Sequence, residues 1–403
     1  MNYTEQEVMQ YVQEENVKFI RLAFCDVYGR QKNLSIMPGE LHRAFESGMA
    51  FDASAIAGFG GEVRSDLLLR PDPATLSALP WRPENGRVVR MFCDIVRPDG
   101  SGFEADARQL LKRAQAEAER RGYAFSFGAE MEFYLFRTDE NGMPTNQPHD
   151  RAGYMDIAPD DRGENVRREI CLTLEQMGIR PESSHHEEGP GQNEIDFRYS
   201  APMKAADDAV TFRSVVKTIA AVNGLWADFS PKPISGAPGS GLHINLSVHG
   251  PDENDPMPQV IAGMMEHIYD MTAFFNPCQE SYLRLGSSKA PGFITWSSEN
   301  RSQLIRVPAA EGEYRRVELR SPDPTANPYI AFALLIYAGL DGIQRALPLP
   351  PSTDLNLYGA PEEQLDAFRR LPASLEEARA AAATSAFVRR HLPPALLAAY
   401  TGE

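Results

Sequence analysis

A period of two, repeated along the chain, constrains this sequence most. Gly128–Phe136 reads GAEMEFYLF and has the aromatic and aliphatic make-up of a β-strand. Strand side chains alternate faces, so Glu130 and Glu132 point one way while Met131, Phe133 and Leu135 point the other. Two like charges side by side on a half-buried strand are costly unless something offsets them.

Further stretches follow the same rule. GQNEIDFRY places Glu194, Asp196 and Arg198 on one face, with Ile195, Phe197 and Tyr199 opposite. Just upstream, HHEEGPGQ offers His185, His186, Glu187 and Glu188 on a Gly/Pro loop. GSGLHINLSV sets His243, Asn245 and Ser247 against Leu242, Ile244 and Leu246; YRRVELRSPD sets Arg316, Glu318 and Arg320 against Val317 and Leu319. ENRSQLIRVP adds Arg301 and Arg306. Any one of these is accounted for as the solvated face of an antiparallel sheet. Such faces carry mixed Lys, Thr, Gln and Ser, whereas these carry Glu, His and Arg, with Lys nearly absent. Carboxylates with one or two imidazoles suit Mg²⁺ or Mn²⁺ better than zinc, which takes more His or Cys. Arginines on neighbouring strands suit bidentate recognition of phosphate and carboxylate. Together they point to a two-metal site holding a nucleotide's phosphates. The chain has no GxxxxGK[ST] and no GxGxxG leading into a helix, so a nucleotide is held in another way.

The 403 residues are too many for one ordinary domain. RPDGSGFEA, with Pro98, Gly100 and Gly102, marks a boundary, giving residues 1–100 and 101–403 as two domains. An amphipathic helix follows over about Glu104–Arg121, stopped by Gly122. Further helices are expected near Glu164–Gly178, Ala201–Gly224, Pro256–Phe275 and Pro328–Arg345, with SLEEARAAAATSAFVRRHL as a last helix. Strands with polar inner faces between helices imply a curved, largely antiparallel sheet lining a cleft, an α+β architecture. The net charge of −16 excludes a nucleic-acid backbone or an anionic membrane as the main partner. Cys25, Cys93, Cys171 and Cys278 show no CxxC spacing and read as reduced cytoplasmic thiols. The N-terminus is no signal peptide, and the longest apolar run, Tyr329–Leu340, is too short to span a bilayer.

The order and spacing of GAEMEF, HHEEGPGQNEID, GSGLHINLS, NRSQLIRVP and RRVELRSPDPTANPYIAFALLIYAGLDGI resemble the glutamine synthetase family, bacterial type I branch. FDASAIAGF resembles that family's FDGSSI segment, and the resemblance runs nearly end to end. It implies a small N-terminal β-grasp domain, a larger catalytic α+β domain, and a homo-oligomer of two stacked hexamers (a dodecamer) with active sites between subunits. Position by position, it assigns Glu132, Glu187 and Glu194 to one Mg²⁺ or Mn²⁺ and Glu130, His243 and Glu318 to a second. Arg301, Arg306 and Arg316 match positions that bind ATP phosphates and the phosphorylated intermediate, with Arg301 and Arg320 among the catalytic arginines. Ser247 and Glu182 match nucleotide-contacting positions. Gly239, Arg284 and Arg320 match the amino-acid site, and Asp52, from the neighbouring subunit, the ammonium site. The implied reaction phosphorylates the side-chain carboxylate of glutamate, or of a similar acid, with ATP. Ammonia or an organic amine then displaces the phosphate.

The sequence departs from the family at four places. Pro238 stands where an asparagine contacts the substrate amino group, and proline has neither a hydrogen-bonding side chain nor an N–H. In the flap, RLGSSKAPGF, Lys289 stands where a glutamate takes a proton from ammonium; Glu280 or Glu299 is the alternative if the alignment shifts. Asn245 replaces a histidine, and the adenylylation-loop tyrosine has no counterpart. A glutamine synthetase, a γ-glutamyl-amide ligase acting on a polyamine, ethanolamine or alkylamine, a regulatory paralogue and a two-metal hydrolase are the readings this leaves.

Overall fold

Two sheets organise the chain. The computed structural model describes residues 3–60, 65–82, 86–251, 254–287, 289–309, 312 and 315–402; Ser288 and Tyr314, inside motifs quoted above, lie outside them. The first sheet comprises β1 (Phe19–Cys25), β2 (Gln31–Ile36), β3 (Met49–Asp52), β4 (Asp66–Pro71), β5 (Ser77–Ala78) and β6 (Val88–Val96). Its order is β2-β1-β6-β4-β3, with β5 also on β6, and only the β1–β6 pair is parallel. Helices α1 (Glu5–Glu14) and α2 (Leu41–Ser47) accompany it. Thr4 starts α1 because its hydroxyl accepts from the Glu7 N–H while Glu7 reaches back to the Thr4 N–H.

The second sheet contains β7 (Ala124–Thr138), β8 (Pro144–Pro148), β9 (Pro181–His186), β10 (Gln192–Phe197), β11 (Leu225–Asp228), β12 (Leu242–His249), β13 (Trp296–Ser298), β14 (Ile305–Val307) and β15 (Val317–Leu319). The path is β13-β14-β15-β12-β7-β10-β9, with β8 and β11 also on β7. Pairing is antiparallel except between β13 and β14, as expected. One face of this sheet carries the core. Met131, Phe133, Leu135, Ile195, Ile244 and Leu319 are all fully buried. Against them pack α3 (Ala107–Arg120), α4 (Glu164–Gln176), α5 (Pro202–Val222), α6 (Met257–Phe275) and, after the short α7 (Ser281–Arg284), α8 (Pro328–Gln344). Asn327 caps α8 and Pro328 opens it, an ordinary helix start.

Arg108 on α3 joins the two sheets. Its buried guanidinium reaches Asp72 at 2.8 Å and Asp94 at 2.9 Å beside the small sheet, and Asp207 on α5 at 3.0 Å. A buried cation with three acidic partners tolerates little change in their relative placement.

Three expectations need correction. The last helix is not continuous: after α9 (Glu362–Leu365) come α10 (Leu375–Thr384), α11 (Ala386–His391) and α12 (Pro394–Thr401). Ser385 ends α10 and caps α11, accepting from the Val388 N–H while its hydroxyl donates to Asp270 at 2.7 Å. Arg198 falls just past the end of the strand that carries Glu194. The register shifts between Asp196 and Phe197, β10 ends at Phe197, and Arg198 meets Glu182 at 3.4 Å. His185 and His186 close β9 rather than lying on the loop, which begins at Glu187.

Candidate active site

Strand register assembles the site. Across the second sheet, Glu130 stands opposite His243 on one side and Asp196 on the other. One pair further along, Glu132 faces Glu194, which faces His185. In the neighbouring row Arg306 faces Glu318, and Glu318 faces Asn245. Because alternate residues share a face, these rows direct Glu130, Glu132, Glu194 and Asp196 into one cavity of about 420 Å³, which Glu187 and Glu188 after β9 and arginines of distant segments complete. Glu130, Glu132, Glu187, Glu188, Glu194, Asp196 and His243 line it, together with Arg284, Lys289, Arg301, Arg306, Arg316 and Arg320.

The acidic half falls into overlapping groups. Glu130, His243 and Glu318 offer ligand atoms within 4.8 Å of one another. So do Glu132, Glu194 and His243, and so do His185, Glu187 and Glu194. Glu194 is common to the last two groups. Burial and the charges of Glu132 and Asp196 push the Glu194 carboxyl well above the usual carboxylate range. Glu187 is raised by burial and by Glu132, and Asp196 is raised to about 6 by burial and Glu130. Glu130 behaves oppositely: burial opposes its charge, but His243, Asn245 and Arg316 bring it down to about 2. Crowded oxygen donors with His243 beside them are the donor set a hard divalent cation takes, and a cation would relieve their repulsion.

The remaining side chains orient these donors. Glu132 accepts from the Gly241 N–H at 2.8 Å and from Gln192 Nε2 at 3.0 Å. Asn245 Nδ2 donates to Glu130 at 2.7 Å while its oxygen accepts from Arg316 Nε at 2.9 Å. Arg306 Nε donates to Glu318 at 2.6 Å, and Arg320 donates to the other oxygen. His186, fully buried, meets Asp150 Oδ1 at 2.8 Å and the Glu187 carbonyl at 2.6 Å, which sets the start of the 187–191 loop.

Arg284 donates to the Ser321 and Arg320 carbonyls and lies under Gly239 and Gly241. A Cβ at Gly239 would come within 2.4 Å of the Pro231 carbonyl and 2.8 Å of the Arg284 side chain, so only glycine fits. Pro238 keeps its carbonyl in use, accepting from the Tyr134 hydroxyl at 2.6 Å. Ser247 and Glu182 lie in an adjoining pocket with Asn245 and Arg316. Lys289 lines the main cavity and meets Glu188 at 2.9 Å; Glu280 and Glu299 are exposed and do not line it. Asp52 is not brought to this cavity. It is exposed on the small sheet, where hydrogen bonds from Ser54 and Ser65 hold its carboxyl below the usual range. His185, Gln192, Asp196 and Tyr154 also line the cavity without having been assigned a role. Period two from Glu194 already places Asp196 on this face and, carried one step back, gives Gln192, but nothing in the sequence brings Tyr154 there.

A family model described as the glutamine synthetase catalytic domain matches residues 104–402, and one for its β-grasp domain matches residues 16–98. A glutamine synthetase of Clostridium saccharobutylicum is 46% identical over 391 residues, covering 93% of this chain and 88% of that one. One of Methanosarcina mazei is 44% identical over 404 residues, covering 96% and 90%. Among solved structures, GmaS in complex with ADP superimposes with a TM-score of 0.89 at 27% identity, covering 100% of this chain and 94% of that one. GmaS without ligand gives 0.88 at 28% identity, covering 98% and 94%. The small sheet is thus a β-grasp unit, and the second sheet with its helices is the catalytic fold expected from the resemblance.

Proposed function

The chain belongs to the glutamine synthetase family, and from that premise we propose how its cavity joins an amine to an acid. It is an ATP-dependent ligase that forms a carbon–nitrogen bond, with glutamate, ammonia and ATP as reactants and a divalent metal as cofactor. Glu132, Glu187 and Glu194 would hold one Mg²⁺ or Mn²⁺ and Glu130, His243 and Glu318 a second. When bound, the cations supply positive charge at the transferring phosphoryl group. Arg301, Arg306 and Arg316 bind the ATP phosphates; Ser247 and Glu182 contact the rest of the nucleotide from the adjoining pocket. Arg284, Arg320 and Gly239 form the floor on which glutamate lies. The phosphoryl group passes to the γ-carboxylate, because a free carboxylate is a poor electrophile and phosphate is a good leaving group. Ammonia attacks the acyl phosphate, with Asp52 of a neighbouring protomer beside it. On this reading the protein would work as a homo-oligomeric ring, two stacked hexamers, a reading that the exposure of Asp52 supports. The free thiols of all four cysteines fit a cytoplasmic setting.

The observation that carries this reading is the convergence of six carboxylates and five arginines from separate segments of the chain in one cavity. A second reading, a γ-glutamyl-amide ligase using an organic amine, is favoured by one feature: a lysine, not a carboxylate, reaches the cavity from the flap. Phosphate release with ATP, Mg²⁺ and glutamate, measured across ammonium, methylamine, ethanolamine and a polyamine, separates the two. Ammonium should give the highest kcat/KM. No release above background with ammonium, alongside release with an organic amine, would reverse the order.

A further inference from the structure

We propose a second ligand site, separate from the active-site cavity, where α3, α8 and α11 meet: a groove of about 450 Å³ that binds a small phosphate-bearing anion. It shares no lining residue with the active-site cavity. Arg113 and Arg120 on α3, seven residues apart, share one face with Arg121 at the helix end, and Arg390 enters from α11. Four guanidiniums around one groove stand out on a chain of net charge −16.

Charge accounting makes the groove more than a solvated helix surface. Its two acids are already engaged. Glu117 meets Arg121 at 2.7 Å and also Arg120, and Asp341 meets His267 at 2.7 Å and Arg345 at 2.9 Å. Arg113 and Arg390 have no acidic partner among the described residues, and they come from different helices. The floor is partly apolar. The His391 ring stacks on Tyr337 with centroids 4.1 Å apart and planes 18° apart, over buried Leu340. Burial and the Arg390 charge push the His391 imidazole down to about 4, so near neutral pH the ring is an uncharged donor. Two unpaired arginine forks facing a groove built by three helices match the tetrahedral oxyanion of a phosphate better than a lone carboxylate.

Pyrophosphate serves as the probe, titrated calorimetrically into the full chain with chelator present and ionic strength held constant. The wild type should bind saturably. The Arg113→Gln/Arg390→Gln double variant should bind about tenfold or more weakly, the loss of at least one charge-assisted contact. It should keep its ligase turnover, which shows that it is folded. Arg316→Gln, in the active-site cavity, should leave this binding event unchanged. Absence of saturable binding, undiminished affinity in the double variant, or loss only in Arg316→Gln would each overturn the proposal. Citrate binding as tightly as pyrophosphate would overturn the phosphate assignment.

Discussion

At Lys289 a cation reaches a cavity in which, on the proposed chemistry, an amine must arrive uncharged. Its ammonium pairs with Glu188 at 2.9 Å, and both side chains are well exposed. Such a pair contributes about 0–1 kcal/mol, so it orients the flap without locking it. Lys289 also holds a φ of +68°, a conformation that glycine or asparagine adopts more readily. A positive group at this place cannot accept a proton from ammonium. Lys289→Glu is therefore expected to raise ammonia-dependent phosphate release about tenfold or more, a fraction of what general-base catalysis contributes. Steady-state kinetics with ammonium and with methylamine check this; unchanged ammonium kinetics would place the proton acceptor elsewhere. The paired Glu130 and Glu132 were legible from alternation alone. The place of His185 between Glu187 and Glu194 was not, because it depends on which strand lies next to β10.

Among the elements, α6 and α8 pack unusually close. A Cβ at Gly263 on α6 would lie 2.1 Å from the Ala338 carbonyl on α8, and one at Gly342 would lie 2.0 Å from the Gln259 carbonyl. Both obstacles are backbone, which cannot rotate aside as a side chain does. Gly263→Ala should destabilise the protein by about 1–3 kcal/mol or more despite alanine's better helix propensity. Gly359→Ala, with nothing within 4 Å, is the control. Thermal unfolding of the two variants checks this, and equal midpoints would disprove the close crossing. The sequence placed both helices within a few residues of their ends because their apolar runs are long and their starts carry proline. It did not reveal the break at Ser385, because an alanine-rich run reads as helix on either side of a cap. The register shift in β10 after Asp196 was hidden for a similar reason: a bulge depends on the partner strand and has no signature in the strand's own residues.

For the whole molecule, crowded carboxylates weigh against folding until a cation joins them. A ligand that binds only the folded state stabilises it by about 2.7 kcal/mol at a hundredfold excess over its Kd. Adding Mg²⁺ or Mn²⁺ to chelator-treated protein should thus raise the thermal midpoint. Glu132→Ala should lose most of that rise, together with metal-dependent ATP turnover; an undiminished rise would remove Glu132 from the cation site. By itself, the sequence determined which side chains share a strand face, and through them the family, the architecture and the metal-and-phosphate chemistry. This was possible because a period of two is a property of the extended backbone, independent of what lies alongside. Tertiary structure alone decided which faces meet: that Glu132 stands opposite Glu194, that Arg306 and Arg320 grip the same carboxylate, that Lys289 rather than Glu280 or Glu299 reaches the cavity, and that Arg113 and Arg390 close one groove. Those pairings come from strand register and helix packing between segments far apart in the chain. They are set by the burial of the whole apolar core, which no local pattern encodes.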